Sequence, residues 1–330
     1  MVNLHFDMQI MAFLASHRTP ALTTFFLLAS DMGEVQGYIL ITTLIYVAFD
    51  KRLAVRLSLL VALTMCLNHL LKIVIKNPRP FVREGDYLQK WAVPIDNARD
   101  LATEYSTPSG HAMAAGSFYA FLYGCVRNRY VRILAVLAVL LTGASRPYLG
   151  VHYVEDILLG WTIGLGAALL ALRYKERIGA VWVKFAYSHQ IGIVVVASAL
   201  LWIITIFING NGIGGQPRAF LGYAGSITGI VIAWPLEQRF VDFDPRSCSS
   251  FFKALRYLLS IGISLLTLEL LKRGFSFLAA DYSIAGYLLQ YLRYVAIGVI
   301  SFFVAPWIFT RLRLAKTGVG GTTARKSIED

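Results

Sequence analysis

Long apolar stretches limit what this chain can become. Residues 53–75, 191–207 and 294–309 approach or reach the roughly 20 residues that a helix needs to cross hydrocarbon. They lack the strict alternation of apolar and polar residues that a lipid-facing barrel strand requires. Backbone groups inside lipid must then be satisfied within helices. A hydrophobic content of 57% with only 15% charged residues, over 330 residues, is too apolar for a soluble protein. The expected fold is an all-α integral membrane protein, a polytopic bundle of about nine transmembrane helices. The spans fall at about 36–49, 53–75, 111–125, 131–142, 154–172, 191–208, 222–235, 255–271 and 287–309. Ahead of them, His5, Asp7, His17 and Arg18 among apolar neighbours predict an N-terminal amphipathic helix lying on the surface.

The net charge of +12 does not point to nucleic acid, because the basic residues lie between hydrophobic spans instead of in one patch. Arg52, Arg56, Arg127, Arg129, Arg173, Lys175, Arg246, Lys253, Arg311 and Arg313 all fall in or beside loops on one side of the nine-span layout, which makes that side cytoplasmic. The opposite side is then periplasmic in a bacterial inner membrane, or luminal in a eukaryotic endoplasmic reticulum. Cys66, Cys125 and Cys248 show neither metal-binding spacing nor a disulfide framework and read as packing residues. Residues 1–188 are expected to form a core with five spans, 189–315 an appended helical region with four, and 316–330 a disordered tail. In the appended region Glu269 and Arg293 are expected to neutralise each other. The long polar stretch 77–109, with Phe81, Tyr87 and Trp91, reads as a functional outer loop.

Three clusters on the outer side carry chemistry. Lys72 is separated by six residues from Arg79-Pro80, so that on one continuous helix the two cations would share a face. Next comes Pro108-Ser109-Gly110-His111, a turn directly before an apolar helix, where unpaired amides point at any anion, Ser109 can cap, and His111 can act as an acid. The third is Ser145-Arg146 followed by His152 and Asp156. A guanidinium can fork two oxygens of one phosphate, and a carboxylate four residues from an imidazole can, on a helix, hold one ring nitrogen and leave the other free to attack. Fixed cations, a nucleophile and an acid are what phosphoryl transfer needs.

The pattern K-x6-RP, PSGH and SR-x5-H-x3-D resembles that of the type 2 phosphatidic acid phosphatase superfamily, over roughly residues 53–172 and without a departure. The resemblance implies His152 as a nucleophile forming a phosphohistidine, Asp156 orienting it and His111 as general acid. It implies Lys72, Arg79, Ser109, the Gly110 amide and Arg146 as the phosphate-binding set. It also implies no metal and no cofactor, because fixed cations take the place of a divalent ion. The stretch Glu104-Tyr105-Ser106-Thr107 is similar to that in long-chain-base and polyprenyl phosphate phosphatases, which favours a phosphate monoester or diphosphate of a membrane lipid. A glucose-6-phosphatase-like enzyme acting on a small phosphorylated sugar, and a lipid phosphotransferase using the same site, are the alternatives. Neither an oligomeric state nor a protein partner is assigned by the sequence.

Overall fold

The computed structural model describes residues 5–80, 104–209, 218–280 and 283–317. The expected interface aromatics Phe81, Tyr87 and Trp91, and the tail beyond residue 317, lie outside the described residues. Within them the chain is helical, the one extended pairing being an isolated bridge between Phe243 and Thr317. The helices are α1 His5–Ser16, α2 Pro20–Asp31, α3 Val35–Ala48, α4 Lys51–Ile75, α5 Gly110–Cys125, α6 Arg129–Leu149, α7 Val154–Trp182, α8 Tyr187–Asn209, α9 Arg218–Phe240, α10 Ser250–Ser276, α11 Ile284–Val299 and α12 Ala305–Arg311, with a π-helical turn Ile300–Val304 joining the last two. Every expected span lies on a helix. Among the described residues seven helical stretches are long and apolar enough to cross a membrane, while α3 is shorter. Helix α5 has 16 residues, and most of them are buried.

Local chemistry explains the boundaries. Thr19 caps α2 and Pro20 occupies its first position, where a missing N–H costs nothing. Asn128 caps α6 by accepting from the amides of Tyr130 and Val131. Gly150 ends α6 in the left-handed conformation, at φ 79°. Two expectations change. Lys72 and Arg79 do not share one helix: α4 stops at Ile75, Lys76 turns the chain at φ 54°, and Pro78 and Pro80 keep it from resuming immediately. Likewise α7 starts at Val154, so His152 precedes the helix that carries Asp156.

The chain divides into two compact units, Met1–Tyr38 with Thr64–Gly179, and Ile39–Leu63 with Ala180–Asp330. In the first, α2 and α5 pack on α6, which α1 also touches. Helices α5 and α7 meet backbone to backbone. A Cβ at Gly164 would stand 2.3 Å from the Met113 carbonyl oxygen, and one at Gly160 would stand 2.8 Å from that of Ser109. In the second unit α9 and α11 make the same kind of contact, through Gly225, Gly229 and Gly298. Pro306 cannot donate to the carbonyl of Phe302 four residues before it, and the Tyr46 hydroxyl donates to that oxygen instead, at 2.8 Å. Lys51 bridges Glu237 and Asp242 at 2.9 and 3.0 Å. Arg256 donates to the carbonyls of Asp244, Pro245 and Ser247. Glu269 pairs with Arg273, one turn along the same helix, at 2.6 Å, and not with Arg293 as expected. Leu169, Leu170, Phe207 and Leu266 point outward, as lipid-facing side chains do.

Candidate active site

All three clusters lie in the first unit, and the structure brings them around one imidazole. After α4 ends, the turn at Lys76 returns the chain so that the Asn77 carbonyl accepts from the Ser106 amide at 2.7 Å, and Asn77 Nδ2 donates to Thr107 Oγ1 at 2.8 Å. This pairing anchors Arg79, whose guanidinium is 2% exposed. Arg79 Nη1 donates to the Val151 carbonyl at 3.2 Å and approaches His152 Nε2 at 3.1 Å. Its other edge, with Lys72 Nζ, holds Glu104 Oε2 at 3.1 and 3.0 Å. The cations are buried but the Glu104 side chain is 50% exposed. A half-exposed carboxylate therefore occupies the anion position between these two cations.

The partners of His152 fix its tautomer. Guanidinium only donates, so Nε2 facing Arg79 is an acceptor and the ring proton resides on Nδ1. Nδ1 lies 3.2 Å from Ser106 Oγ and 3.4 Å from Asp156 Oδ2. Ser106 in turn donates to Asp156 Oδ2 at 2.5 Å. Thr107 Oγ1 donates to Oδ1 of the same carboxylate, and the Tyr153 amide donates to Oδ2 at 2.9 Å. Asp156 thus reaches His152 through a hydroxyl as well as by proximity. The effect is to fix the ring with the Nε2 lone pair turned toward the cations. Burial, then the charges of Arg79, Arg146 and Lys72, push the His152 pKa well below the ordinary imidazole range, which keeps the ring neutral.

The opposite side of the cradle is formed by α5 and α6. Ser109 caps α5 through the Ala112 amide, and its own amide donates to the Asp156 carbonyl at 3.1 Å. Asn68 on α4 donates to the Pro108 carbonyl at 3.0 Å, and its Oδ1 lies 3.3 Å from where a Gly110 Cβ would be. His111, on the first turn of α5, places Nε2 2.9 Å from Glu34 Oε1. Glu34 belongs to the short connection between α2 and α3, which a glycine brings close: a Cβ at Gly33 would stand 2.3 Å from Thr142 and 3.1 Å from the His111 ring. Arg146, 4% exposed in the last turn of α6, donates through Nη1 to Ser30 Oγ at 2.5 Å, and its Nε has no partner among the described residues.

The charges are strongly coupled. Lys72, then Arg79, pull Glu104 down to about 2 against the opposing effect of burial. The hydrogen bond from His111 lowers Glu34. The structure brings Lys72, Arg79, Ser109, Gly110, His111, Arg146, His152 and Asp156 into one region. Sequence reasoning did not assign roles to Glu34, Ser30, Ser106 or Thr107. Of these, only Ser106 and Thr107 carried a local signal, since they sit immediately before the Pro108 turn.

A buried neutral imidazole whose Nε2 lone pair is turned toward fixed cations, with a second imidazole nearby, defines a phosphoryl-transfer site carried on a helical membrane protein. The profile of the PAP2 superfamily matches residues 53–180, and that of the PAP2 superfamily phosphatase transmembrane extension matches residues 221–317. The chain belongs to the PAP2 superfamily and is a phosphoric ester hydrolase. It is 23% identical to an undecaprenyl-diphosphatase of Sulfolobus acidocaldarius over 53% of this chain and 81% of that protein. It is 36% identical to phosphatidylglycerophosphatase B of Bacillus subtilis over 23% of this chain and 42% of that one. It is 32% identical to sphingosine-1-phosphate phosphatase 2 of Mus musculus over 45% of this chain and 41% of that one. The chain therefore spans most of the first relative and under half of the other two. Among solved structures it is similar to the Aquifex aeolicus protein LpxE, with TM-score 0.44 and 23% identity over 53% of this chain and all of that one.

Proposed function

We propose that this protein is a metal-independent phosphatase that removes phosphate from a membrane lipid at the non-cytoplasmic membrane face, by way of a phosphohistidine. His152 Nε2 attacks phosphorus and the bond to the leaving oxygen breaks. That oxygen takes a proton from His111 Nε2. Water then attacks the phosphohistidine, His111 accepts its proton, and inorganic phosphate departs. Lys72, Arg79, Arg146, the Ser109 hydroxyl and the Gly110 amide hold the non-bridging oxygens as charge builds on them. Ser106 and Asp156 hold the Nδ1 proton so that the emerging positive charge on the ring is balanced. The observation that carries this reading is the orientation of His152, with Nε2 held as an acceptor 3.1 Å from Arg79 at the centre of the cations.

A lipid substrate is supported by the lipid phosphatases among the relatives and by the membrane helices that carry the site. The one-sided distribution of basic loop residues supports a periplasmic or luminal location, as in a bacterial inner membrane. Every residue given a role belongs to the first compact unit, which supports a catalytic core within residues 1–188 and an appended region at 189–315, although residues 39–63 group with the second unit.

One assay tests the reading. Purified protein in a single detergent is offered phosphatidate, sphingoid-base phosphate, polyprenyl diphosphate and glucose 6-phosphate, and free phosphate is measured without an added acceptor. Lipid turnover that vanadate inhibits and a chelator leaves unchanged is expected. Turnover of glucose 6-phosphate alone would replace the lipid reading with the sugar one. Phosphate release only with an acceptor present would make the protein a phosphotransferase. Loss of activity to a chelator with restoration by magnesium would overturn metal independence.

A further inference from the structure

Glu34 is placed to read the alcohol part of the substrate. Its carboxylate accepts from His111 Nε2 at 2.9 Å, and the side chain is 46% exposed, so it borders both the ring that serves the leaving oxygen and the open side of the site. A second half-exposed carboxylate at the site, Glu104, is already matched by two cations, Lys72 and Arg79. Among the described residues Glu34 faces one ionisable partner at hydrogen-bond distance, a histidine, with the charge of Arg146 acting on it from farther away.

The leaving oxygen must come within about 2.6–3.2 Å of the nitrogen that protonates it. Glu34 Oε1 already lies at that distance from the same nitrogen. A departing oxygen and this carboxylate are consequently neighbours on one N–H, and the half-exposed side chain is free to swing aside while remaining close. An ammonium on the carbon next to the ester carbon stands about 3–4 Å from the ester oxygen in staggered rotamers. That is where Glu34 can meet it. A diphosphate ester places a second anionic phosphoryl group at the same point, against the same carboxylate.

We propose that Glu34 is a specificity-determining residue that selects phosphate monoesters of lipid amino alcohols, meaning long-chain bases with a free ammonium beside the phosphorylated carbon, over amine-free and diphosphate lipids. This rests on the assignment of His111 as the acid for the leaving oxygen. It places the enzyme after a reaction class that phosphorylates long-chain bases, and before one that uses the free base. An amine at this point would also help to replace the contact that His111 loses when its proton moves.

The test compares kcat/KM for four esters in mixed micelles: a sphingoid-base 1-phosphate, its N-acylated counterpart, a polyprenyl diphosphate, and water-soluble phosphoethanolamine. Wild-type protein is expected to favour the free-amine lipid over the N-acylated one. Glu34→Gln, whatever its effect on absolute rates, is expected to shrink that ratio about fivefold, the value of one partly exposed charge pair. It is also expected to raise the relative rate on the diphosphate, while Glu34→Asp keeps the preference. Equal wild-type rates on the two monoesters, or a ratio that Glu34→Gln leaves unchanged, would overturn the proposal. The wild-type comparison needs no variant to fold. Preference for phosphoethanolamine over the sphingoid-base ester would assign the amine recognition to soluble substrates and overturn the lipid class. Hydrolysis of none of the four would overturn the phosphatase reading beneath it, a result distinct from hydrolysis without amine preference.

Discussion

Two clusters in this protein are assembled from the same charges and arranged for opposite ends. In the second unit Lys51 lies between Glu237 and Asp242, and the Glu237 carboxylate is fully buried and also accepts from the Phe243 amide. In the first unit Lys72 is as little exposed as Lys51 and Arg79 is buried, but Glu104 between them is half-exposed. A buried acceptor satisfied by backbone has nowhere to go, so the first arrangement fastens helix ends. An exposed acceptor on buried cations is a placeholder that another anion can displace. Depth of the carboxylate, more than the number of charges, separates a lock from a binding site.

The difference can be broken or sharpened by substitution. The largest effect is expected at the ring the cradle serves: His152→Ala should lower turnover by about a thousandfold or more, with thermal unfolding in detergent little changed. A residual rate near that of wild type would sink the nucleophile assignment. Next, Glu237→Ala should cost about 3–5 kcal/mol of stability by leaving Lys51 partly uncompensated, and leave the KM of the surviving protein unaltered. An unchanged unfolding temperature would mean the cluster is no lock. A smaller change is expected for Glu104→Gln, which removes the internal competitor and should tighten inhibition by phosphate or vanadate about three- to tenfold. Weaker inhibition would show that Glu104 builds the cradle instead of filling it.

The smallest effect concerns acid. Glu104 is held at about 2, against an ordinary value of about 4.3 for an unfolded glutamate. The stabilisation it provides is therefore complete above about pH 4.3 and is lost as pH falls toward about 2. The difference in unfolding temperature between wild type and Glu104→Gln should be present at neutral pH, shrink below that upper value and vanish near the lower one. A difference that does not depend on pH would assign it to packing.

The spans and the three clusters were legible because each is local: hydropathy over some twenty residues, or a handful of side chains at fixed spacing. Helix α2 was missed, although Thr19-Pro20 is an ordinary start signal, because 12 residues are too few to register as a span. Glu34 and Ser30 were invisible for a different reason. Their partners His111 and Arg146 are 77 and 116 residues away, and no periodicity links such positions. Ser106 lay in a stretch noted for its resemblance, yet its place between His152 and Asp156 depends on the Asn77 pairing that returns the chain. The helical relation expected between His152 and Asp156 failed because Gly150 ends α6 so close to Val154 that the histidine falls in the connection. The pair still meets, at 3.4 Å, by means of that connection.

The absence of side chains at Gly160 and Gly164 has a consequence for how the enzyme experiences its lipid. Helices that touch only through flexible side chains can tilt one by one when a bilayer thickens or thins. Helices α5 and α7, welded main chain to main chain, must lean together and carry Ser109, His111 and Asp156 with them. A change in membrane thickness should therefore move these three residues as one group.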